Sequence, residues 1–244
     1  MANSFGPAIS ALNPLAYDPA SDVVAIVYRG HTTYAGGSGE LWYSISTDAG
    51  MTWERVSAVN SSQALAARYP SMAINNPTKG DIDATTALFT WPQLTPAAFG
   101  FIGYGADQPL GGGNTFAEIE QGPPAFSSQV PCWTADDADW FFWASDNQDD
   151  ASITIFRTQD FTTIEEINDT AMASSVFQDN GNITMGGVSY NGVQYYAVVG
   201  SFFPPDTNDQ ILSGWYLGLS KSTDYGATWS EFDVIDIREV PGLE

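Results

Sequence analysis

Positive charge is scarce in this sequence. Its 244 residues contain 7 Lys and Arg against 29 Asp and Glu, which gives a formal net charge of −22. Nucleic acids and anionic membrane surfaces are bound through clusters of Lys and Arg, so the composition argues against both as partners. Charged residues make up only 15% of the chain. The surface is therefore poor in cations and is not saturated with charge.

Cysteine and long apolar runs are also scarce. Cys132 is the single cysteine, so an intrachain disulfide is excluded, and its neighbours Pro131 and Trp133 favour a buried apolar position. No run reaches the length of a membrane span, so membrane insertion is not expected. The first residues lack the basic and apolar regions of a signal peptide, and we expect none in this chain.

Turn-forming and aromatic residues are abundant. The chain has 23 Gly and 14 Pro, and aromatic residues make up 14% of it. Aromatic and β-branched residues suit pleated strands, whereas Gly and Pro punctuate them. Lys79 and Lys221 are the only lysines, so good helix formers are few. The composition predicts an all-β fold.

One octapeptide occurs twice, at residues 46–53 and 222–229, and both copies read S-T-D-x-G-x-T-W. An Asp in a turn accepts hydrogen bonds from nearby backbone amides, and a Gly two residues later tolerates positive φ. We therefore interpret each copy as a structural turn between two strands and expect both Trp rings to be buried. The repeated side chains are Ser46, Asp48, Gly50, Thr52 and Trp53 in the first copy, and Ser222, Asp224, Gly226, Thr228 and Trp229 in the second.

A four-strand rhythm extends over residues 15–236. Alternating apolar runs predict four strands in each of four segments, 15–59, 68–120, 130–167 and 182–235. The predicted turn positions are Asp48, Asp107, Asp160 and Asp224. Repeated four-stranded sheets are the blades of a β-propeller. We predict about four antiparallel blades, either as a whole or as part of a larger propeller, between an N-terminal lead (1–14) and a C-terminal tail (237–244).

The octapeptide is similar to the Asp box, or BNR repeat, of sialidase-type β-propellers. In that family the box joins the third and fourth strands of a blade, which is where Asp48 and Asp224 fall. The family includes sialidases and other glycoside hydrolases, sorting receptors, assembly factors and uncharacterised secreted bacterial propellers. The stretch Arg68-Tyr69-Pro70-Ser71 and the Gly-, Asn- and Asp-rich loops resemble the last group most. The resemblance implies an extracellular or cell-surface location.

The resemblance also suggests where a ligand would bind. Sialidases hold the substrate carboxylate with three arginines and use an Asp acid/base and a Tyr–Glu pair. Arg68-Tyr69-Pro70 is similar to the Arg-Ile-Pro motif that supplies one of those arginines, and Arg29 is the other arginine expected to face the central channel. The alternative for Arg68 is a pair with an acidic neighbour at the start of an inner strand. The candidate ligand-binding residues are Arg29, Arg68, Tyr69 and Trp133, although Trp133 is better explained as filling space between blades.

Two acidic loops flank the apolar strand that begins at Trp140. Carboxylates are calcium ligands, so either loop could hold calcium; solvated acidic turns are the alternative. The candidate metal ligands are Asp136, Asp137 and Asp139 in the first loop, and Asp146, Asp149 and Asp150 in the second. His31 is the sole histidine, and no role is assigned to it.

These patterns favour a non-catalytic, extracellular propeller module that binds a protein or glycan partner or serves as a scaffold. The alternative is a glycoside hydrolase of the sialidase type with an incomplete site in this chain. A third hypothesis is an assembly subunit that completes its ring with another chain, self-association included. Unpaired sheet edges and an uncovered blade face would require such a partner. The sequence does not decide whether the protein is an enzyme, and it favours a non-catalytic role.

Overall fold

The computed structural model describes residues 12–30, 39–61, 66–94, 99–120, 129–146, 153–167, 180–202 and 216–242. In these ranges all sixteen strands belong to four antiparallel, four-stranded sheets, which we call blades 1 to 4. Two short 3-10 turns, Ile82–Ala84 and Ile237–Glu239, are the only helical segments described. The all-β prediction is confirmed. No described helix is long and apolar enough to cross a membrane.

The strands follow the chain from the first blade to the fourth. Blade 1 contains β1 (Leu15–Asp18), β2 (Val23–Arg29), β3 (Leu41–Ser46) and β4 (Glu54–Ala58). Blade 2 contains β5 (Ser71–Asn75), β6 (Thr86–Leu94), β7 (Phe99–Asp107) and β8 (Phe116–Glu120). Blade 3 contains β9 (Cys132–Ala135), β10 (Trp140–Asp146), β11 (Ile153–Thr158) and β12 (Glu165–Ile167). Blade 4 contains β13 (Asn180–Tyr190), β14 (Val193–Phe202), β15 (Tyr216–Ser222) and β16 (Asp233–Asp236).

Each blade is a meander in which consecutive strands pair. The first strands also contact one another from blade to blade, β1 with β5, β5 with β9, and β9 with β13. The first strands therefore surround a central channel and the fourth strands form the outer edges. This is the arrangement of a β-propeller, as the four-strand rhythm predicted.

The core lies between blades. Alternation along each strand places apolar side chains on the faces that meet. Three buried clusters join blade 1 to blade 2, blade 2 to blade 3, and blade 3 to blade 4. Aromatic rings fill these interfaces; Tyr104 of blade 2, for example, stacks on Trp143 of blade 3 with ring centroids 4.8 Å apart. Cys132 is buried in the same cluster, as predicted, and burial raises the pKa of its thiol to about 12.

The loop between the third and fourth strands of a blade, here called its corner loop, has the same geometry in both octapeptides. In blade 1, Ser46 Oγ donates to Asp48 Oδ1 (2.7 Å), Gly50 N donates to Ser46 Oγ (2.8 Å) and Thr52 N donates to Asp48 Oδ1 (2.8 Å). Trp53 Nε1 donates to Gly50 O (3.1 Å). These bonds confirm that the octapeptide is a turn held by its own side chains.

Blade 4 repeats each of these bonds. The carboxylate of Asp224 accepts from Ser222 Oγ (2.8 Å), Thr228 N (2.9 Å) and Thr228 Oγ1 (2.6 Å), and Trp229 Nε1 donates to Gly226 O (3.0 Å). Gly50 and Gly226 have φ of 87° and 74°, the left-handed conformation that glycine adopts without strain.

Two expectations about the corner loops were wrong. Trp229 is buried with 6% exposure, but Trp53 is 47% exposed, because the blade 1 loop has no described neighbour over it. Asp107 is the last residue of β7, the position that Ser46 occupies in β3, so it does not correspond to Asp48. Its buried carboxylate accepts from Tyr43 Oη of blade 1 and from Gly113 N (2.9 Å).

The corner loop of blade 3 is a shortened version of the same turn. Thr158 takes the place of the serine, and its Oγ1 accepts from Phe161 N at 2.9 Å. Asp160 Oδ1 accepts from Thr162 N and Thr163 N, both at 2.8 Å. The corner loop of blade 3 therefore has the same kind of side-chain acceptors but lacks the glycine and the tryptophan.

Candidate functional site

The central channel has two ends. Hydrogen bonds join Asp18, the last residue of β1, to Asn76 after β5, and Asn76 to Asp136 after β9, so these strands finish at one end of the channel, which we call the lower end. The upper end is where the first strands begin. Asn13, before β1, accepts from Met72 N (2.8 Å), and Thr90 of blade 2 donates to Val130 O (2.6 Å) just before β9. Both ends are therefore built by contacts between successive blades.

Two arginines lie at the upper end. Arg29 is the last residue of β2, and Arg68 and Tyr69 lie just before β5. Burial lowers the pKa of the Arg29 guanidinium, and the positive charge of Arg68 lowers it further, while Tyr69 acts in the opposite direction. Arg68 and Tyr69 are therefore near enough to act electrostatically on Arg29. Three of the four candidate ligand-binding residues lie at this end of the channel.

The backbone at this site is held by hydrogen bonds within its own segment and from blade 1. Arg68 Nη1 donates to the carbonyl of Ala67 (2.9 Å), and Ala67 N donates to Gly39 O of blade 1 (2.9 Å). Tyr69 has a φ of 43°, an uncommon conformation for a residue with a side chain. Unusual backbone conformations of this kind concentrate at functional sites.

The other arginines serve the outer strands and the tail, as the sequence indicated. Arg55 lies over the Trp42 ring at 4.2 Å. Arg157 pairs with Glu165 (2.6 Å) and lies over the Trp140 ring at 4.3 Å. Arg238 pairs with Asp236. None of these three pairings involves the upper-end site.

The lower end contains the first acidic loop. Asn76 Nδ2 donates to Asp18 Oδ2 (2.6 Å), and Asn76 N donates to Asp136 Oδ1 (3.3 Å), so one asparagine of blade 2 joins blades 1 and 3. Asn75 Nδ2 donates to Asp139 Oδ1 (2.9 Å). Asp18 and Asn76 were missed as site residues, although Asp18-Pro19 and Asn76-Pro77 are turn signals in the sequence.

Asp137 completes this hydrogen-bonded connection between blades. Its Oδ2 accepts from Tyr225 Oη (3.0 Å) and Gln194 Nε2 (3.2 Å), both of blade 4. The carboxylates of the first acidic loop thus accept hydrogen bonds from neighbouring blades, while Asp137 and Asp139 remain exposed to solvent.

Among the described residues, the calcium candidates of the two acidic loops do not come together. Asp146 ends β10 at the upper end, on the far side of that strand from Asp136, Asp137 and Asp139. Asp149 and Asp150 lie outside the described residues. Across the ranges that the structure describes, no group of three or more His, Cys, Asp or Glu residues is arranged to hold a metal ion.

The two lower-end carboxyls have opposite pKa shifts. Burial raises the pKa of Asp136, and the negative charge of Asp18 adds to that effect. Burial acts in the same direction on Asp18, but hydrogen bonds from Ser21, Asn76 and two backbone amides outweigh it and lower its pKa. Asp18 is therefore the carboxyl that stays ionised more readily.

A cavity of about 350 Å³ lies in the channel between β1, β5 and β9. Tyr17, Asp18, Trp133 and Asp136 are among the residues that line it. Trp133 also packs against β13, where a Cβ added at Gly187 would lie 2.6 Å from its Nε1. This tryptophan is thus a channel-lining residue and a spacer between blades 3 and 4, and it lies apart from the arginine site.

Comparisons with solved structures agree on the fold. The chain is similar to a protein of unknown function from Dyadobacter fermentans, with a TM-score of 0.53, 16% identity, and coverage of 78% of this chain and 49% of that one. It is also similar to a fructofuranosidase from Schwanniomyces occidentalis, with a TM-score of 0.52, 10% identity, and coverage of 90% of this chain and 45% of that one. The chain spans about half the length of these proteins.

These structural similarities define a class. Glycoside hydrolases of families GH32 and GH43 are also among the structural neighbours, with TM-scores of 0.49 and 0.44. No protein-family model matches the sequence, and no curated protein is significantly similar to it. At these identities the likeness shows the fold alone. The chain is a β-propeller protein related in fold to glycoside hydrolase propellers.

Proposed function

We propose that this chain is a non-catalytic, extracellular β-propeller module of the Asp-box type that binds an acidic glycan at its upper end. The observation that carries the proposal is the placement of Arg29, Arg68 and Tyr69 at one end of the channel, with Arg68 and Tyr69 near enough to act electrostatically on Arg29. A chain with 7 basic residues and a net charge of −22 places two of those cations at the same site, where Arg29 is buried and Arg68 is half-buried. An anion that binds at this site interacts favourably with both positive charges.

Guanidinium groups suit a carboxylate ligand. Each presents a planar set of donors that binds a carboxylate through two parallel hydrogen bonds. The phenol of Tyr69 adds a further donor or acceptor beside them. A sugar acid offers both the carboxylate and the hydroxyl groups that such a site would bind.

The Asp boxes support the family resemblance and supply no ligand groups. The side chains of Asp48 and Asp224 are occupied by hydrogen bonds within their own turns. The proposed site therefore lies at the channel, and the boxes hold the blades that form it.

Titration calorimetry with N-acetylneuraminic acid and glucuronic acid tests this site, with fructose as the neutral control. We expect binding of an acidic sugar, and Arg68→Met should weaken it at least tenfold, about 1.4 kcal/mol, because a charged pair of hydrogen bonds is lost. Arg55→Met is the matched control, since Arg55 stacks on Trp42 of the outer blade 1 strands. An equal loss in both variants, or binding of fructose alone, would contradict the proposal.

A second candidate function is glycoside hydrolysis, favoured by the lower-end carboxyls. Asp18 and Asp136 line the same cavity and have pKa values shifted in opposite directions. Glycosidases use such a pair, one carboxyl protonated and the other ionised. Turnover of a sialoside or a fructoside that disappears in Asp136→Asn, with folding preserved, would support this alternative. Absence of turnover together with tight binding of an acidic sugar would support the binding module.

A further inference from the structure

Every loop of the four blades at the lower end of the channel lies within the described residues. These are the loops between first and second strands, 19–22, 76–85, 136–139 and 191–192, and the corner loops, 47–53, 108–115, 159–164 and 223–232. Hydrogen bonds through Asn76 and Asp137 join the loops of successive blades. The surface at this end is therefore formed by side chains whose positions are described.

Two adjacent cavities lie at this end. The first, of about 350 Å³, is the channel cavity between β1, β5 and β9, and the second, of about 220 Å³, lies between blades 3 and 4. Trp133, Thr134 and Asp136 line both cavities, so these residues of blade 3 stand between them. Concave surfaces that combine aromatic side chains with a few polar groups are the usual form of small-molecule sites. The pair suits a ligand of two linked rings, one in each cavity.

Trp133 gives the two cavities a common apolar wall. Its ring is half-buried, and a Cβ added at Gly187 of blade 4 would lie 2.6 Å from its Nε1, so blade 4 packs closely against this edge of the indole. Aromatic rings present a large, rigid apolar surface, and the C–H groups on one face of a sugar ring pack against such a surface. Ser189 and Gln194 also line the second cavity, and their side chains are of the kind that binds hydroxyl groups.

Carboxylates make both cavities electronegative. Asp18 and Asp136 line the first cavity, and Asp136 and Asp137 line the second. Burial raises the pKa of the Asp136 carboxyl, and the negative charges of Asp18 and Asp137 add to that effect. Burial also raises the pKa of the Tyr196 phenol, and the charges of Asp137 and Asp136 act in the same direction. Both side chains therefore stand in surroundings that favour a positive charge.

Among the described residues that line the two cavities, Lys79 is the one cation. Its side chain is exposed, and its positive charge lowers the pKa of Asp136 by less than burial raises it. The ion pairs of the described residues lie between outer strands of blade 3 and at the C-terminal end of blade 4. Neither Asp18 nor Asp136 takes part in them, so the two cavities keep an excess of negative charge.

The given sequence holds no other Lys or Arg that could neutralise these carboxylates. All 7 Lys and Arg residues lie in the described ranges, and six of them line neither cavity. A partly buried carboxylate without a cationic partner is unfavourable, and a cation that binds beside it offsets this. The chemistry of the lower end therefore selects a cationic ligand and disfavours an acidic sugar.

We propose that the lower end of the channel binds an amino sugar, whose ammonium group donates to Asp136 and whose ring packs on Trp133. In a disaccharide, one ring lies in the channel cavity beside Asp18, and the other lies in the second cavity beside Gln194. The site is at the opposite end of the channel from Arg29, so this inference does not rest on the function proposed for the upper end.

Titration calorimetry at about pH 6.5, below the usual pKa of an amino group, tests the inference by binding and independently of turnover. The probe is the β-1,4-linked disaccharide of glucosamine. Its di-N-acetyl counterpart is the neutral match, and putrescine supplies ammonium groups without a sugar ring. We expect the glucosamine disaccharide to bind at least about tenfold more tightly than either, because only it combines the charge with the ring.

Three variants separate a local contact from a general effect of charge. Asp136→Asn should weaken binding about tenfold or more, and its amide oxygen can still accept from Asn76 N, so the contact between blades is kept. Lys79→Met should tighten binding about two- to fivefold, because a competing positive charge is removed. Asp139→Asn is the matched control, since it makes the same change of charge in the same loop and lines neither cavity. It should change the affinity by less than about twofold.

Melting temperatures of the three variants confirm that each is folded. The inference is overturned if the di-N-acetyl disaccharide or putrescine binds as tightly as the glucosamine disaccharide. It is also overturned if Asp139→Asn weakens binding as much as Asp136→Asn does, or if Lys79→Met weakens it. Absence of saturable binding of the glucosamine disaccharide up to ~10 mM would equally reject an amino sugar as the ligand.

Discussion

At the scale of single residues, the main chemistry of this protein is carboxylates accepting hydrogen bonds. Hydrogen bonds from Thr52, in its side chain and then its backbone, together with one from Ser46, lower the pKa of Asp48 to about 2. At Asp224 burial acts to raise the pKa, but bonds from Thr228 and Ser222 outweigh it and lower the pKa. These bonds are strongest when the carboxylate is ionised.

The sign of the pH dependence follows from these shifts. A carboxyl whose folded pKa lies below its ordinary value stabilises the fold above that ordinary value, and the contribution disappears as the pH falls through the folded pKa. For Asp48 the window runs from its ordinary pKa of 3.8 down to about 2. Asp136, with a raised pKa, acts in the opposite direction: its ionisation destabilises the fold as the pH rises.

We therefore expect Asp48→Asn to reduce the loss of folding stability as the pH falls from 4 to 2. Urea midpoints measured at pH 7, 4, 3 and 2 should fall less steeply between pH 4 and pH 2 in this variant than in the unmodified chain, because one ionisable acceptor has been removed. Asp22→Asn, outside any corner loop, is the control. Parallel curves for Asp48→Asn and the unmodified chain would count against the lowered pKa.

At the scale of elements, the corner loop joins local and tertiary structure. The same turn in blades 1 and 4 shares its side-chain hydrogen bonds and its left-handed glycine. The surroundings of the two glycines differ, since Gly50 is open and Gly226 lies against Phe142. Substitutions at Gly50 and Gly226 therefore separate the free-energy cost of the backbone conformation from the cost of packing.

Gly50→Ala and Gly226→Ala should consequently differ in stability. Each places a Cβ in the left-handed region, which costs about 1–2 kcal/mol. Gly226→Ala also forces its Cβ against Phe142, which adds roughly 1–3 kcal/mol for overpacking. Equilibrium urea unfolding measures both, and equal losses would show that Phe142 moves aside freely.

At the scale of the whole molecule, burial of an element depends on which blade precedes it. Blades 2 to 4 each bury their corner loop against a neighbour, whereas blade 1 exposes Met51 and Trp53. Hydrogen bonds through Asn76 and Asp137 join the turns of all four blades at the lower end. The blades are thus coupled across the channel as well as through their faces.

Replacing each box tryptophan measures this dependence. Trp229→Ala should cost about 3–5 kcal/mol, since it removes a ring from the cluster between blades 3 and 4. Trp53→Ala should cost about 1 kcal/mol or less, as exposed substitutions do. Free energies of unfolding from denaturant titration decide the matter, and similar losses at both positions would refute the difference in burial.

Sequence alone determined the four sheets and the turn chemistry of the boxes, because strand alternation and Asx-type turns depend on residues close together in the chain. It also selected Arg29 and Arg68 by excluding the arginines of outer strands and tail. Only the tertiary structure decided that Trp229 is buried and Trp53 exposed, that Asp107 binds Tyr43, and that Asp18, Asn76 and Asp136 meet. Those outcomes depend on contacts between blades some sixty residues apart in the chain, and such contacts leave no local pattern in the sequence.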